Sequence, residues 1–283
     1  MNTNAYFEIA AHYQVCEDYA ISGTYQDMAY AIVCDGCSSS ENSDVGARLM
    51  AHIAKGVIMY LKDRNLIGSP EFVNHFKELI VRKGIEVKNS LGLSTDAFDA
   101  TLLVHIAFDS KILSIAWGDG YIMYKTKDSK HLVYDISFST GAPYYLSYEM
   151  STSKKQKYMD EFGEGTITIK NMTLSAEGAI EWERSITNPI VAESLYKEAY
   201  ASMISFATVS SDGLGTYQDN PKGIKEDGTE KRKYSAIEII PQMMAYKTIA
   251  GEFVIRRMHR MKTDMAKANI IHFDDISCAS IAL

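Results

Sequence analysis

Two short strand-like runs that halt at the same dipeptide constrain this chain most. Residues 28–34 (Met-Ala-Tyr-Ala-Ile-Val-Cys) stop at Asp35-Gly36, and residues 206–210 (Phe-Ala-Thr-Val-Ser) stop just before Asp212-Gly213. The first run is unbroken and apolar and fits a buried strand, the second reads as another short strand, and Asp-Gly fits a turn. The chain must therefore cover its sheets on both sides while delivering carboxylates to strand ends.

The other segments supply that cover. Residues 6–15 are rich in aromatic and apolar side chains and read as an opening strand, followed by Glu17-Asp18. A helix is expected from Ser43, an N-cap candidate with Asp44 in the first turn, with Val45, Leu49, Ile53 and Val57 as its apolar stripe. A second starts near Ser69-Pro70 and buries Phe72, Phe76, Leu79, Ile80 and Ile85. Residues 100–108, 111–117 and 121–125 read as consecutive strands, with turns at Asp109-Ser110 and Gly118-Asp119-Gly120; residues 131–136, 166–169 and 179–182 extend the β-rich stretch. Residues 141–163 are polar and Tyr-rich and read as an exposed insertion. Residues 219–233, dense in Lys, Asp, Glu and Gly, read as a solvated loop. Helical patterns at 237–247 and 252–268 precede a last strand at 276–283. Helices grouped apart from the strands they cover imply an α+β fold, two packed sheets flanked by helices in one domain over residues 1–283.

Composition excludes some functions. A formal net charge of -7 argues against nucleic acid as partner. No apolar run reaches membrane-spanning length and the N-terminus lacks an export pattern, so a cytoplasmic protein with reduced thiols is expected. Cys34-x-x-Cys37 has the spacing of a redox or zinc pair; a zinc site would require Cys16 and Cys278 to converge on it. The alternative is small side chains packed around another centre.

The acidic residues at strand ends form a set: Glu17-Asp18, Asp35, Asp119, Asp212 and Asp274-Asp275. Any single Asp-Gly is adequately explained as a turn. Carboxylates gathered without basic partners, however, repel one another, and divalent cations relieve that repulsion; oxygen-only ligation suits Mg²⁺ or Mn²⁺.

The five segments carrying these residues resemble the metal-dependent protein phosphatase family, also called protein phosphatase 2C. In order they are Cys-Glu-Asp-Tyr-Ala (16–20), Val-Cys-Asp-Gly-Cys (33–37), Ala-Trp-Gly-Asp-Gly (116–120), Val-Ser-Ser-Asp-Gly-Leu (209–214) and Asp-Asp-Ile-Ser (274–277). The resemblance implies a four-layer α-β-β-α sandwich of two antiparallel sheets, and hydrolysis of phosphoserine or phosphothreonine in proteins. It implies that Asp35 bridges two Mg²⁺ or Mn²⁺ ions, with Asp212 and Asp274 completing one site. Glu17 and the Gly36 carbonyl serve the other, and Asp119 a third, looser one. Asp35 and Asp212 carry the chemistry, attack on phosphorus by a metal-bridged water without a phosphoenzyme. The partners implied are a phosphorylated protein substrate and an opposing Ser/Thr kinase, with no nucleic acid and no membrane, the protein itself a monomer. Residues 141–163 correspond to the family's variable flap, expected to influence substrate choice.

The departures from the family pattern are specific. The Arg that commonly holds the phosphate is Tyr13, with His12 beside it; Arg48 lies downstream on the first helix. Cys37 stands where His or Met is usual, followed by Ser38-Ser39-Ser40, expected to cap the next helix; Thr216 replaces an Asp associated with the third ion, and Asp275 replaces an Asn. These departures leave a second reading, a catalytically weak or inactive phosphoprotein-binding module of the same fold.

Overall fold

The computed structural model describes residues 1–190, 195–220 and 232–283. In chain order the elements are β1 (Asn2–Glu8), β2 (Asp18–Tyr25), β3 (Met28–Asp35), α1 (Ser43–Asp63), α2 (Phe72–Leu91), β4 (Leu102–Phe108), β5 (Lys111–Trp117), β6 (Gly120–Thr126) and β7 (His131–Phe138). Then come α3 (Thr152–Phe162), β8 (Thr166–Leu174), β9 (Ile180–Pro189), β10 (Leu195–Tyr200), β11 (Ile204–Ser210), β12 (Tyr217–Asp219), α4 (Ala236–Met243), α5 (Phe253–Lys267), β13 (Ile270–His272) and β14 (Ile276–Ala282).

Two antiparallel sheets stack face to face. One runs β10-β5-β4-β3-β2 and the other β1-β14-β11-β6-β7-β8-β9. Strand β3 shows why the apolar runs are unbroken. Its side chains alternate between faces, so Ala29, Ala31 and Val33 enter the layer between the sheets while Met28, Tyr30, Ile32 and Cys34 pack beneath α1 and α2. Helices α4 and α5 cover the second sheet with Ile239, Ile240, Met243, Phe253, Met258 and Met261. The expected four layers are present.

Several sequence expectations need correction. The opening strand ends at Glu8, not 15. Residues beyond it form a loop clamped by Asp275, whose carboxylate accepts from the backbone N–H of Ala10 and of Glu17, both at 2.7 Å. Strand β2 was hidden by its small, polar Ser22-Gly23-Thr24 stretch; Gly23 lies under the Tyr30 ring, where a Cβ would collide. Strand β10 was also missed. In α1 the buried face is Gly46, Ala47, Met50, Ala51, Ala54, Val57, Ile58 and Leu61, and Val45 is exposed. A strict four-residue stripe drifts about 40° per step around a helix, whereas this face follows the mean helical period. Ser40 does not cap α1; Asn42 occupies the N-cap position.

The largest correction concerns residues 141–163. Tyr144, Tyr145, Leu146, Ser147 and Tyr158 are all buried. Tyr148 and Tyr158 rings stand 4.5 Å apart, Tyr144 and Tyr158 5.2 Å, and Tyr158 and Phe162 5.3 Å. Tyrosine supplies both an apolar body and a polar tip, so a segment that reads as polar forms a packed flap. The solvated loop expected at 219–233 falls mostly outside the described residues.

Candidate active site

Strand alternation sorts the first acidic pair. Asp18 pairs across β2–β3 with Asp35, and both share parity with Ala20 and Val33, which face the inter-sheet layer. Glu17, one residue earlier, turns the opposite way and accepts a hydrogen bond from the Ser43 hydroxyl at the start of α1 (2.8 Å). The Asp18 carboxylate crosses to the second sheet, accepting from the Ser211 hydroxyl at 2.6 Å. The Asp35 backbone is held at both ends by Thr101: its N–H donates to Thr101 Oγ1 (2.9 Å) and its carbonyl accepts from Thr101 N (2.8 Å).

The two Asp-Gly glycines are not turn glycines, because neither Gly36 nor Gly213 has a positive φ. They permit close approach. A Cβ on Gly36 would stand 2.8 Å from the Ser43 carbonyl oxygen, and one on Gly213 would overlap the Asp275 carbonyl. Gly213 thus lets the Asp212 loop lie against the Asp274-Asp275 loop. Around Asp119 the turn explanation does hold, since Gly118 and Gly120 have φ of 88° and 119°.

The carboxylates form a connected, mutually repelling set. Burial pushes Asp35 well above the usual carboxylate range, and Asp18 and Asp212 push it further. Burial raises Asp18 to about 7, with the Ser211 hydroxyl and the nearby Asp35 and Ser277 groups opposing the rise. Asp119 is raised to about 7 by burial and then by Asp212; Asp274 to about 6 by the same two causes in the same order. Burial also raises Asp212. Among the described residues none of these five forms an ion pair with Lys or Arg. One oxygen, Asp18 Oδ1, is buried with no hydrogen-bond partner.

Glu17 lies to one side of this set, where it adds to the repulsion on Asp274; Gly36 N donates to its carbonyl at 3.1 Å. Thr216 proves to be a positioning residue: its hydroxyl donates to Gly213 O (2.7 Å) and accepts from Phe273 N (3.2 Å) and Asp274 N (3.1 Å). Tyr13 stands at the rim, 38 % exposed, where burial and then Asp274, Asp275, Glu17 and Asp35 raise its hydroxyl. His12 stacks between Tyr13 (4.5 Å) and Phe273 (5.6 Å). Arg48 is turned elsewhere, its guanidinium over the Phe7 and Tyr19 rings.

Reading the sequence missed three neighbours of the site. Asp18 was visible as half of an acidic pair, but only the alternation of an unrecognised strand puts it next to Asp35. Asp135, paired with Tyr121 across β6–β7, contributes to the charge around Asp119. Tyr145 of the flap is buried close enough to Cys37, Asp119 and Asp35 for all three to raise its hydroxyl after burial itself. No sequence signal identifies the last two.

The donor chemistry fits hard divalent cations: half-buried carboxylate oxygens unpaired with bases, around a buried Asp18 oxygen that lacks any partner. Among the described residues no three His, Cys, Asp or Glu side chains already converge as a ready cation cage. The zinc arrangement is not formed. All four cysteines are free thiols, and burial pushes Cys16 and Cys278 up to about 12, far from the thiolate that zinc needs.

Residues 10–142 match the family model described as Protein phosphatase 2C. No curated protein matches the sequence. Among solved structures the fold is similar to a bacterial serine phosphatase bearing an R161E mutation (TM-score 0.56, 11 % identity, covering 100 % of this chain and 98 % of that one). It is also similar to the serine/threonine phosphatase Stp1 from Staphylococcus aureus (TM-score 0.55, 11 % identity, 100 % and 95 % covered). A third is PppA, described as a key regulatory component of T6SS in Pseudomonas aeruginosa (TM-score 0.51, 10 % identity, 99 % and 97 % covered). The family resemblance is borne out over residues 10–142, which hold three of the five acidic segments, and the sandwich is borne out by the structural neighbours.

Proposed function

We propose that this protein phosphatase 2C-like chain is a metal-dependent phosphoprotein phosphatase acting on phosphoserine or phosphothreonine, with Asp35 and Asp212 at its chemical centre. The observation that carries the reading is the mutually repelling set of buried Asp18 and half-buried Asp35, Asp119, Asp212 and Asp274, with Asp18 Oδ1 left without a partner. A structural role alone does not account for it, since burying unpaired charge opposes folding. Two Mg²⁺ or Mn²⁺ ions, when bound, supply Lewis-acid neutralisation and lower the pKa of attacking water.

The chain's own groups do the rest. Asp35 and Asp212 hold the ligand sphere from the two sheets, and Asp274 closes it from the loop that Thr216 fixes. Glu17 and the Gly36 carbonyl would serve the α1 side, and Asp119, with Asp135 near it, would serve a third cation. Asp18 accepts hydrogen bonds from within this sphere. Tyr13 at the rim offers one hydroxyl to the phosphate in place of a guanidinium fork, and Tyr145 shields the centre from the flap side. Substrate enters from solvent past Tyr13 and His12.

Purified protein with Mn²⁺ should hydrolyse a phosphothreonine peptide. Asp35→Asn and Asp212→Asn should each lower kcat at least ~100-fold, equivalent to about 3 kcal/mol of barrier. Full activity in both variants would refute the metal assignment. Phosphopeptide binding without turnover at saturating Mn²⁺ would instead establish the binding-module reading, which the replacement of the phosphate-holding Arg by Tyr13 favours.

A further inference from the structure

Asp99 sits in the turn before β4, 6 % exposed, and joins three segments that are distant in sequence. Its Oδ2 accepts from the Ser40 hydroxyl at 2.8 Å. Its Oδ1 accepts from the Ser147 hydroxyl and from Lys154 Nζ, the latter at 2.5 Å; both donors belong to the flap. Its backbone carbonyl accepts from Cys37 N at 2.8 Å. Two residues further on, Thr101 holds the N–H and carbonyl of Asp35.

We propose that Asp99 is a positioning residue that couples the flap to Asp35, so that displacement of the flap alters the placement of the catalytic carboxylate. The inference rests on the phosphatase reading for its kinetic consequence but not for its mechanical one. The short run from Asp99 to Thr101 grips the flap with a side chain and Asp35 with a backbone-facing hydroxyl. Between those grips lies only Ala100, itself paired with Gly36 in an isolated antiparallel bridge. The connection is thus extended backbone and charge-assisted hydrogen bonds, which transmit displacement better than a mobile loop.

A cavity of about 600 Å³ opens at this junction, lined by Asp96, Asp99, Tyr148, Lys154, Lys157 and Tyr158 among others. A peptide segment seated there would touch the latch directly. Lys154 is shared with Asp96 (2.6 Å), so an acidic peptide side chain could draw it off Asp99. The flap also has a second anchor that bypasses Asp35: Glu149 pairs with Lys155 at 3.0 Å and with Lys77 of α2 at 3.2 Å. This second anchor provides a control.

The test compares Lys154→Met and Ser40→Ala with Glu149→Gln, by amide hydrogen exchange and by steady-state kinetics on an aryl phosphate and a phosphothreonine peptide with Mn²⁺. Lys154→Met should accelerate exchange both in residues 141–163 and in residues 35–40, and lower kcat on both substrates ~10-fold. Glu149→Gln should accelerate exchange in the flap alone and raise KM for the peptide with kcat on the aryl phosphate unchanged. Ser40→Ala should loosen 35–40 while the flap stays protected. Unchanged exchange at 35–40 in Lys154→Met would overturn the coupling. If the wild-type protein hydrolyses neither substrate, the phosphatase reading fails while the exchange comparison still decides the latch.

Discussion

The layer between the two sheets contains two kinds of buried polar group, and they behave in opposite ways. Near the middle, His105 of β4 bonds through Nδ1 to the Ser114 hydroxyl (2.7 Å), which in turn bonds the Tyr124 hydroxyl. Every member of that chain can be neutral, and burial drives His105 down to about 4 so that it stays so. At the end of the same layer, buried Asp18 and half-buried Asp35 lie near Asp212 with no base to balance them. The first arrangement is what a core does with polar side chains that can stay neutral, and it tolerates His105 Nε2 without a hydrogen-bond partner. The second is a liability to the core that a ligand would relieve. The comparison sets neutral polarity apart from unbalanced carboxylate charge without reference to any relative.

The largest expected effect that could break this contrast is the pH dependence of stability in the metal-free protein. His105 has a folded pKa below its ordinary 6.5, so the unfolded chain binds its proton first. Stability is then lost as pH falls from 6.5 toward 4, by on the order of 3 kcal/mol. The carboxylates act with the opposite sign. Their folded pKa values lie above the ordinary 3.8, reaching about 7 for Asp18 and Asp119, so relative stability is greatest below 3.8 and is lost as pH rises through 7. The two windows overlap between about pH 4 and 7, so melts of the metal-free protein report their sum; Mn²⁺ should remove the carboxylate contribution and leave that of His105. A melt curve insensitive to Mn²⁺ at pH 8 would count against a cation among these carboxylates.

A second test works on the support of the acidic end. Thr216→Val keeps shape but removes the hydroxyl that joins Gly213, Phe273 and Asp274. It should cost about 2 kcal/mol of stability in chemical denaturation and weaken Mn²⁺ binding in calorimetry. Loss of stability with unchanged Mn²⁺ affinity would confine Thr216 to a structural role.

The smallest effects sharpen the contrast most cleanly, using one hydroxyl at each place. Tyr124→Phe should lower stability by about 1 kcal/mol while leaving kcat intact. Tyr13→Phe should leave the melting temperature in place and reduce kcat/KM by less than ~10-fold, the worth of one exposed hydrogen bond to phosphate. Tyr13→Arg should lower KM, because a guanidinium offers two aligned donors.

Much of the architecture was legible because covered strands and grouped helices leave strong marks. β3, β5 and α2 were found close to their true positions from apolar runs and spacing alone. β2 was not, because an edge strand of small polar residues lacks an apolar pattern, and with it went the alternation that separates Asp18 from Glu17. The flap was misread because Tyr counts as polar in sequence yet packs as a ring. The strand-end Asp-Gly pairs were located correctly but for an incomplete reason, since at Gly36 and Gly213 the missing side chain makes room for a neighbouring segment.

What the sequence determined by itself was the inventory: strands covered on both faces, and carboxylates at their ends with no basic residue alternating among them. Local chemistry sets both, since burial selects apolar runs and turns select Asp and Gly. What only the tertiary structure decided was convergence. Asp35, Asp212 and Asp274 come from segments far apart in the chain, and stacked sheets bring their ends together. Asp99 shows the same dependence, for nothing near it in sequence announces that Ser40, Ser147 and Lys154 will meet on one carboxylate. Contacts of that range follow from how the layers pack, which no local pattern of residues encodes.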